Sequence, residues 1–177
     1  MTRLSARSIL RYWSLSFAAV LTGCIGVAQR PAPVNPPRPA SAVVASIRAA
    51  GAREDSVIDV TPLRDPAVSA LEESARADEH SGHFPDAAAK LDQALKLTPE
   101  APDLLQDRAE IAVRLHDYPL AEKLARQSWS LGPKLGSLCA RNWQTVVEMR
   151  LQAGDTSGAA SARKWVQQCH KAGITRY

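Results

Sequence analysis

Residues 82–99, GHFPDAAAKLDQALKLTP, and residues 116–133, HDYPLAEKLARQSWSLGP, overlay at a spacing of 34. Phe84 pairs with Tyr118, Pro85 with Pro119, Ala87 with Ala121, Ala94 with Ser128 and Pro99 with Pro133, while Gly82 falls opposite His116. A period of this size belongs to a solenoid, in which each repeat buries its apolar face only by stacking on the next. Each residue type has a mechanical reason. The aromatic fills the gap between two antiparallel helices, and the alanine lets their backbones approach. Proline in the first turn of the second helix sacrifices no helical hydrogen bond, and the later proline ends that helix before the next repeat begins.

Turn, aromatic, small residue and terminal proline at this period resemble the tetratricopeptide repeat (TPR). Asp65-Pro66 reads as a cap followed by proline at the first helical position, opening the first helix A. Leu105, Ala109 and Ala112 form the buried stripe of the second. A third, degenerate copy has Gly154-Asp155-Thr156 as its turn, Ala159 at the small position and Trp143 as the large residue of helix A. It arrives four residues late, and KLGS (134–137) is expected to be an extended loop between repeats. The predicted fold is all-α: a short TPR-like solenoid of three antiparallel helix pairs near 66–97, 102–131 and 138–172, within a domain 65–177, after a disordered Pro-rich tether.

The N-terminus is of a different kind. Arg3, Arg7 and Arg11 precede an uncharged apolar stretch, Tyr12–Gly23, well short of the ~20 residues a membrane-spanning helix needs. Leu21-Thr22-Gly23-Cys24 resembles the lipobox of bacterial lipoproteins, which implies a signal peptide at 1–23 and acylation of Cys24, palmitate included. Several acyl chains on one residue give stable anchoring. By resemblance to enterobacterial sorting, Ile25 rather than Asp favours the outer membrane, with the domain facing the periplasm. Five of the twelve prolines lie within 31–39, so 24–64 reads as a lipidated cysteine and a disordered linker in coil and polyproline II. Ser41–Ala50 is weakly helical in pattern, and Ser56–Thr61 reads as a strand or clamp.

Charge excludes one class of function. Residues 67–177 hold fourteen basic and fourteen acidic side chains, so the pI near 9.2 comes from the N-terminal part, and the domain lacks the basic footprint of nucleic-acid binding. No catalytic constellation is legible. His80 and His83 beside Asp78 and Glu79 are the one cluster resembling metal ligands, and they read as a solvated helix end. No metal, cofactor or enzymatic activity is expected. Cys139 and Cys169 lie fifteen residues either side of the third turn, at one level of an antiparallel hairpin. An oxidising periplasm favours a disulfide over two buried thiols.

The TPR resemblance places the inner groove on helix A, at Ser69, Glu72, Arg76, Glu79 and His80, then Asp103, Gln106, Glu110, Val113 and Arg114, then Arg141, Gln144, Glu148, Leu151 and Gln152. Glu72-Glu73, Gln106-Asp107 and Gln144-Thr145 stand where chaperone-type carboxylate clamps carry Lys and Asn, so that mode is not expected. Lipobox, tether and small TPR unit together resemble the outer-membrane lipoproteins of some gammaproteobacteria that activate class A penicillin-binding proteins. Residues 139–163, CARNWQTVVEMRLQAGDTSGAASAR, resemble their last repeat. The resemblance implies a non-catalytic regulator of peptidoglycan synthesis that works by protein–protein interaction. The alternative is a TPR scaffold or pilotin for assembly of an outer-membrane or pilus complex. Arg114, Arg141, Gln144 and Glu148 are the expected partner-binding residues, and charge reversal at Arg141 or Glu148 is expected to leave the domain folded. Trp165 and Val166 are expected to leave apolar surface near the C-terminus.

Overall fold

A computed structural model describes residues 38–53 and 64–170. The signal stretch 1–23, Cys24, most of the Pro-rich stretch, the 56–61 segment and the tail after 170 lie outside the described residues. Among the described residues there are seven α-helices and no strand: α1 (Ala40–Ala52), α2 (Pro66–His80), α3 (Phe84–Leu97), α4 (Pro102–Arg114), α5 (Tyr118–Leu131), α6 (Ser137–Gln152) and α7 (Thr156–Gln168). None of them is long and apolar enough to cross a membrane. The chain is all-α, with three antiparallel hairpins, α2/α3, α4/α5 and α6/α7, stacked in order.

Local chemistry sets the ends of these helices. The side chains of Asp65, Asp117 and Asp155 accept hydrogen bonds from the backbone N–H of Ala67, Leu120 and Gly158, capping α2, α5 and α7. The Gly158 N–H is also the main cause that holds the Asp155 carboxyl below its ordinary pKa. Each hairpin turns through a left-handed residue at the same place: Gly82 (φ 80°), His116 (φ 61°) and Gly154 (φ 74°). His116 tolerates this conformation, which His adopts more readily than most residues, and its Nδ1 lies 2.8 Å from the Tyr118 hydroxyl.

Between hairpins the B helices present Ala87, Ala94, Ala121, Ala125, Ala159 and Ala162, all buried. Burial of Leu91, Leu104 and Ile111 joins the first hairpin to the second. The third hairpin is held by Val146, Val147, Trp143 and the Cys139–Cys169 disulfide, with Cα atoms 5.6 Å apart. Ion pairs bridge neighbouring helices: Arg108 forks onto Asp92, and Arg150 joins Glu122 to Asp155.

Two expectations change. The four-residue offset of the third repeat is not an extended loop over 134–137. The connection 132–136 has one residue more than 98–101, and α6 is three residues longer than α4, so most of the insertion continues the helix. The second change is larger. Residues 38–53 are not linker, because α1 packs along α6 and α4 and belongs to the same compact unit as the hairpins. Its Val43, Val44 and Ile47 are fully buried against Ala112, Val113 and Met149.

A Cβ built at Gly82 or Gly154 meets nothing within 4 Å, so alanine there is opposed by backbone conformation alone. Gly82→Ala and Gly154→Ala should each lower unfolding stability by about 1 kcal/mol; unchanged denaturation midpoints would refute this. The disulfide closes a separation of 30 residues. Reducing it should cost roughly 3 kcal/mol in the chain-entropy picture, read as a lower thermal midpoint in reductant that is absent in Cys139→Ser/Cys169→Ser.

Candidate functional site

The A helices α2, α4 and α6 line one face, which is open on α2 and most deeply covered on α4. Ser69, Arg76 and His80 are exposed, whereas Gln106, Glu110 and Val113 on α4 and Glu148 on α6 are buried. The cause is α1, which fills the groove over α4 and α6.

Two carboxylates receive it. Glu148 accepts hydrogen bonds from Arg38 Nη1 at 2.7 Å, Ser46 Oγ at 2.8 Å and Gln144 Nε2 at 2.9 Å. Glu110, fully buried, accepts from Arg48 Nε at 2.7 Å, from Arg141 Nε and Nη2 at 2.9 and 2.6 Å, and from Gln106 Nε2 at 3.0 Å. Arg48 also donates through Nη2 to both Glu79 oxygens at 2.8 Å, and Arg141 to Asp107 at 2.7 Å. A carboxylate with no water around it is tolerated only with such full pairing. Burial lowers the pKa of Arg141, but Glu110 and Asp107 more than offset this, and the net shift is upward. Burial holds the Asp107 carboxyl above its ordinary value, with Arg141 opposing.

Between α1 and the first hairpin an open cleft of about 990 Å³ remains. Arg48, Gly51 and Ala52 form its edge, and Arg76, Phe84, Ile111 and Arg114 are among its lining. Arg114 stands over the Phe84 ring and faces Glu79 at 3.7 Å. Of the expected partner-binding residues, Arg114 and Arg141 both line the open cleft, while Gln144 and Glu148 lie beneath α1. Charge reversal at Arg141 or Glu148 does not leave a merely altered surface, contrary to expectation. An acid at 141 would face Asp107 and Glu110, and a base at 148 would face Arg38.

Elsewhere, Asp78 is ion-paired with Lys90 and Glu79 with Arg48. Among the described residues no three His, Cys, Asp or Glu side chains converge on a point that could hold a metal. At the far end of the solenoid Trp165 stacks on Trp143 at 5.1 Å, with Trp129 edge-on to both. Trp165 remains 42 % exposed, while Val166 packs inward.

Sequence reasoning missed α1 as a groove element. The signal was present: Val43, Val44, Ile47, Ala50 and Gly51 recur at helical spacing as one buried stripe. Their setting beside five prolines made them read as linker.

Arg141→Met leaves Asp107 without its cation and Glu110 with one guanidinium fewer. It should cost about 3 kcal/mol of stability by chemical denaturation. Arg76→Met, which removes an exposed pair with Glu72 four residues away, should cost under about 0.5 kcal/mol. Similar losses for the two would contradict the structural role given to Arg141.

No protein-family model and no curated protein sequence matches the chain. Among solved structures, the globular C-terminal domain of P. aeruginosa LpoP matches at 30% identity and a TM-score of 0.56. The match covers 59% of this chain and 99% of that one, a span about as long as the three hairpins together. The helical domain of this chain thus belongs to the family of the P. aeruginosa LpoP C-terminal domain.

Proposed function

We propose that the chain is a non-catalytic envelope lipoprotein whose helical domain binds a class A penicillin-binding protein and raises its rate of peptidoglycan synthesis. The observation that carries this reading is the likeness of the domain to that of LpoP. The resemblance of lipobox, tether and repeats to the TPR lipoprotein activators supports it independently. Cys24 is the lipid anchor in this proposal, with the domain on the periplasmic side of the outer membrane. The partner meets the A-helix face, at Arg114 and Arg141 in the open cleft and at Gln144 and Glu148 in the groove.

Purified residues 25–177 added to a class A synthase from the same cell should raise its glycan polymerisation rate several-fold and co-elute with it. An unchanged rate at saturating excess, with no complex by cross-linking, would overturn the proposal. The anchor is tested separately: Cys24→Ser should abolish incorporation of a palmitate analogue, and full labelling of that variant would rule Cys24 out.

A further inference from the structure

The groove over α4 and α6 is already occupied by a segment whose chemistry describes what the groove recognises. Glu110 and Glu148 stand at the same position of successive A helices. Gln106 and Arg141 orient the first, and Gln144 orients the second. Ala112, Val113 and Met149 supply the apolar floor. Onto this surface α1 and the two residues before it lay Arg38, then Val43, Val44 and Ile47, then Arg48. The two arginines are ten positions apart and each is assigned to one carboxylate. We propose that this groove is a receptor for an amphipathic helix with basic residues flanking an apolar stripe, and that α1 is its resident occupant, displaced by a partner helix of the same chemistry. The proposal rests on the domain being a protein-binding module, but not on the partner being a synthase.

Three observations bear on how α1 is held. It has no hairpin partner, packing on α6 and α4 alone among the major helix contacts. It has 13 residues, no side-chain cap at its start and no acidic residue in its first turn. A helix that short is marginal in water, so its order comes from the groove. Its anchoring arginines remain 46% and 47% exposed while the carboxylates they meet are 3% and 0% exposed. The receptor half is therefore built into the fold, and the ligand half lies at the rim where a competitor can replace it.

The cleft supplies a reason for exchange. α1 lines, through Arg48, Gly51 and Ala52, a space whose other walls include Phe84, Ile111, Arg76 and Arg114. A competing helix in the same register gains that apolar wall if it carries a larger apolar side chain on the side facing the first hairpin. Small residues are needed where the helix crosses α6, since a Cβ at Gly51 would lie 2.7 Å from Cγ of Arg141. The recognised helix thus reads as basic, apolar, basic, then small.

The test uses a fluorescent peptide of residues 36–53 and residues 25–177 in three forms: wild type, Val44→Asp/Ile47→Asp, and Arg38→Glu/Arg48→Glu. Both variants alter α1 and leave the groove intact. The peptide should bind either released variant at least tenfold more tightly than wild type. A peptide carrying both Arg→Glu changes should lose at least tenfold in affinity. Equal binding to wild type and variants, or no binding to a folded variant, overturns the proposal. So does loss of the helical circular dichroism signal in both variants, because α1 would then be indispensable core. Peptide binding without synthase stimulation would sink the functional reading and leave this inference standing.

Discussion

Glu110 is the charge around which the concave face is organised. It has no exposure to water, and two guanidiniums from different elements close on it: Arg141 from α6 and Arg48 from α1. Removing a charge from water costs several kcal/mol, recovered only when every oxygen is well paired. The second and third repeats must therefore stack in the register that brings Arg141 to α4, and α1 must lie where Arg48 reaches the same carboxylate. An apolar residue at 110 would stack as well but would specify neither. Through Arg48 the network continues to Glu79 on α2, so one buried carboxylate links all three repeats and the groove helix.

The hairpins were legible because their determinants are local and repeated. Proline in the first turn, alanine at the contact and a left-handed turn residue recur at one spacing in the first two hairpins, and each acts within a few residues of where it is read. The groove was not legible for the opposite reason. Nothing near Glu110 or Glu148 in sequence says that Arg48 and Arg38, 62 and 110 residues away, will sit on them. Groove positions of a repeat normally face solvent, and a charged residue there reads as solvated. Whether a short Ala-rich stretch beside prolines forms a helix depends on whether a surface exists for Val43, Val44 and Ile47, and that surface is made by residues more than 60 positions later. The four-residue offset was likewise visible, but its absorption into α6 is a matter of packing.

The third hairpin is tied to the second at one end by packing that joins three helices. Here Trp129, Trp143 and Trp165 pack as a cluster spanning α5, α6 and α7. Lys134 lies 4.6 Å above the Trp129 ring, and the Gly136 N–H donates to the Cys169 carbonyl. The disulfide ties the start of α6 to the end of α7 at the same end, next to Ala50 of α1. Stability of the final repeat and seating of the groove helix therefore share a set of side chains.

Seating α1 also consumes contour length. With Arg38 held on Glu148, only thirteen residues separate Cys24 from the folded unit, a span of at most ~45 Å however the chain is arranged. With α1 released, forty residues separate Cys24 from Asp65, and the limit rises to ~140 Å. On the proposed anchorage at Cys24, a membrane-bound copy thus has two leashes of threefold different length, and the state of the groove selects between them. A binding event on the domain would then change its permitted altitude above the bilayer, coupling recognition to distance with no moving part except one helix.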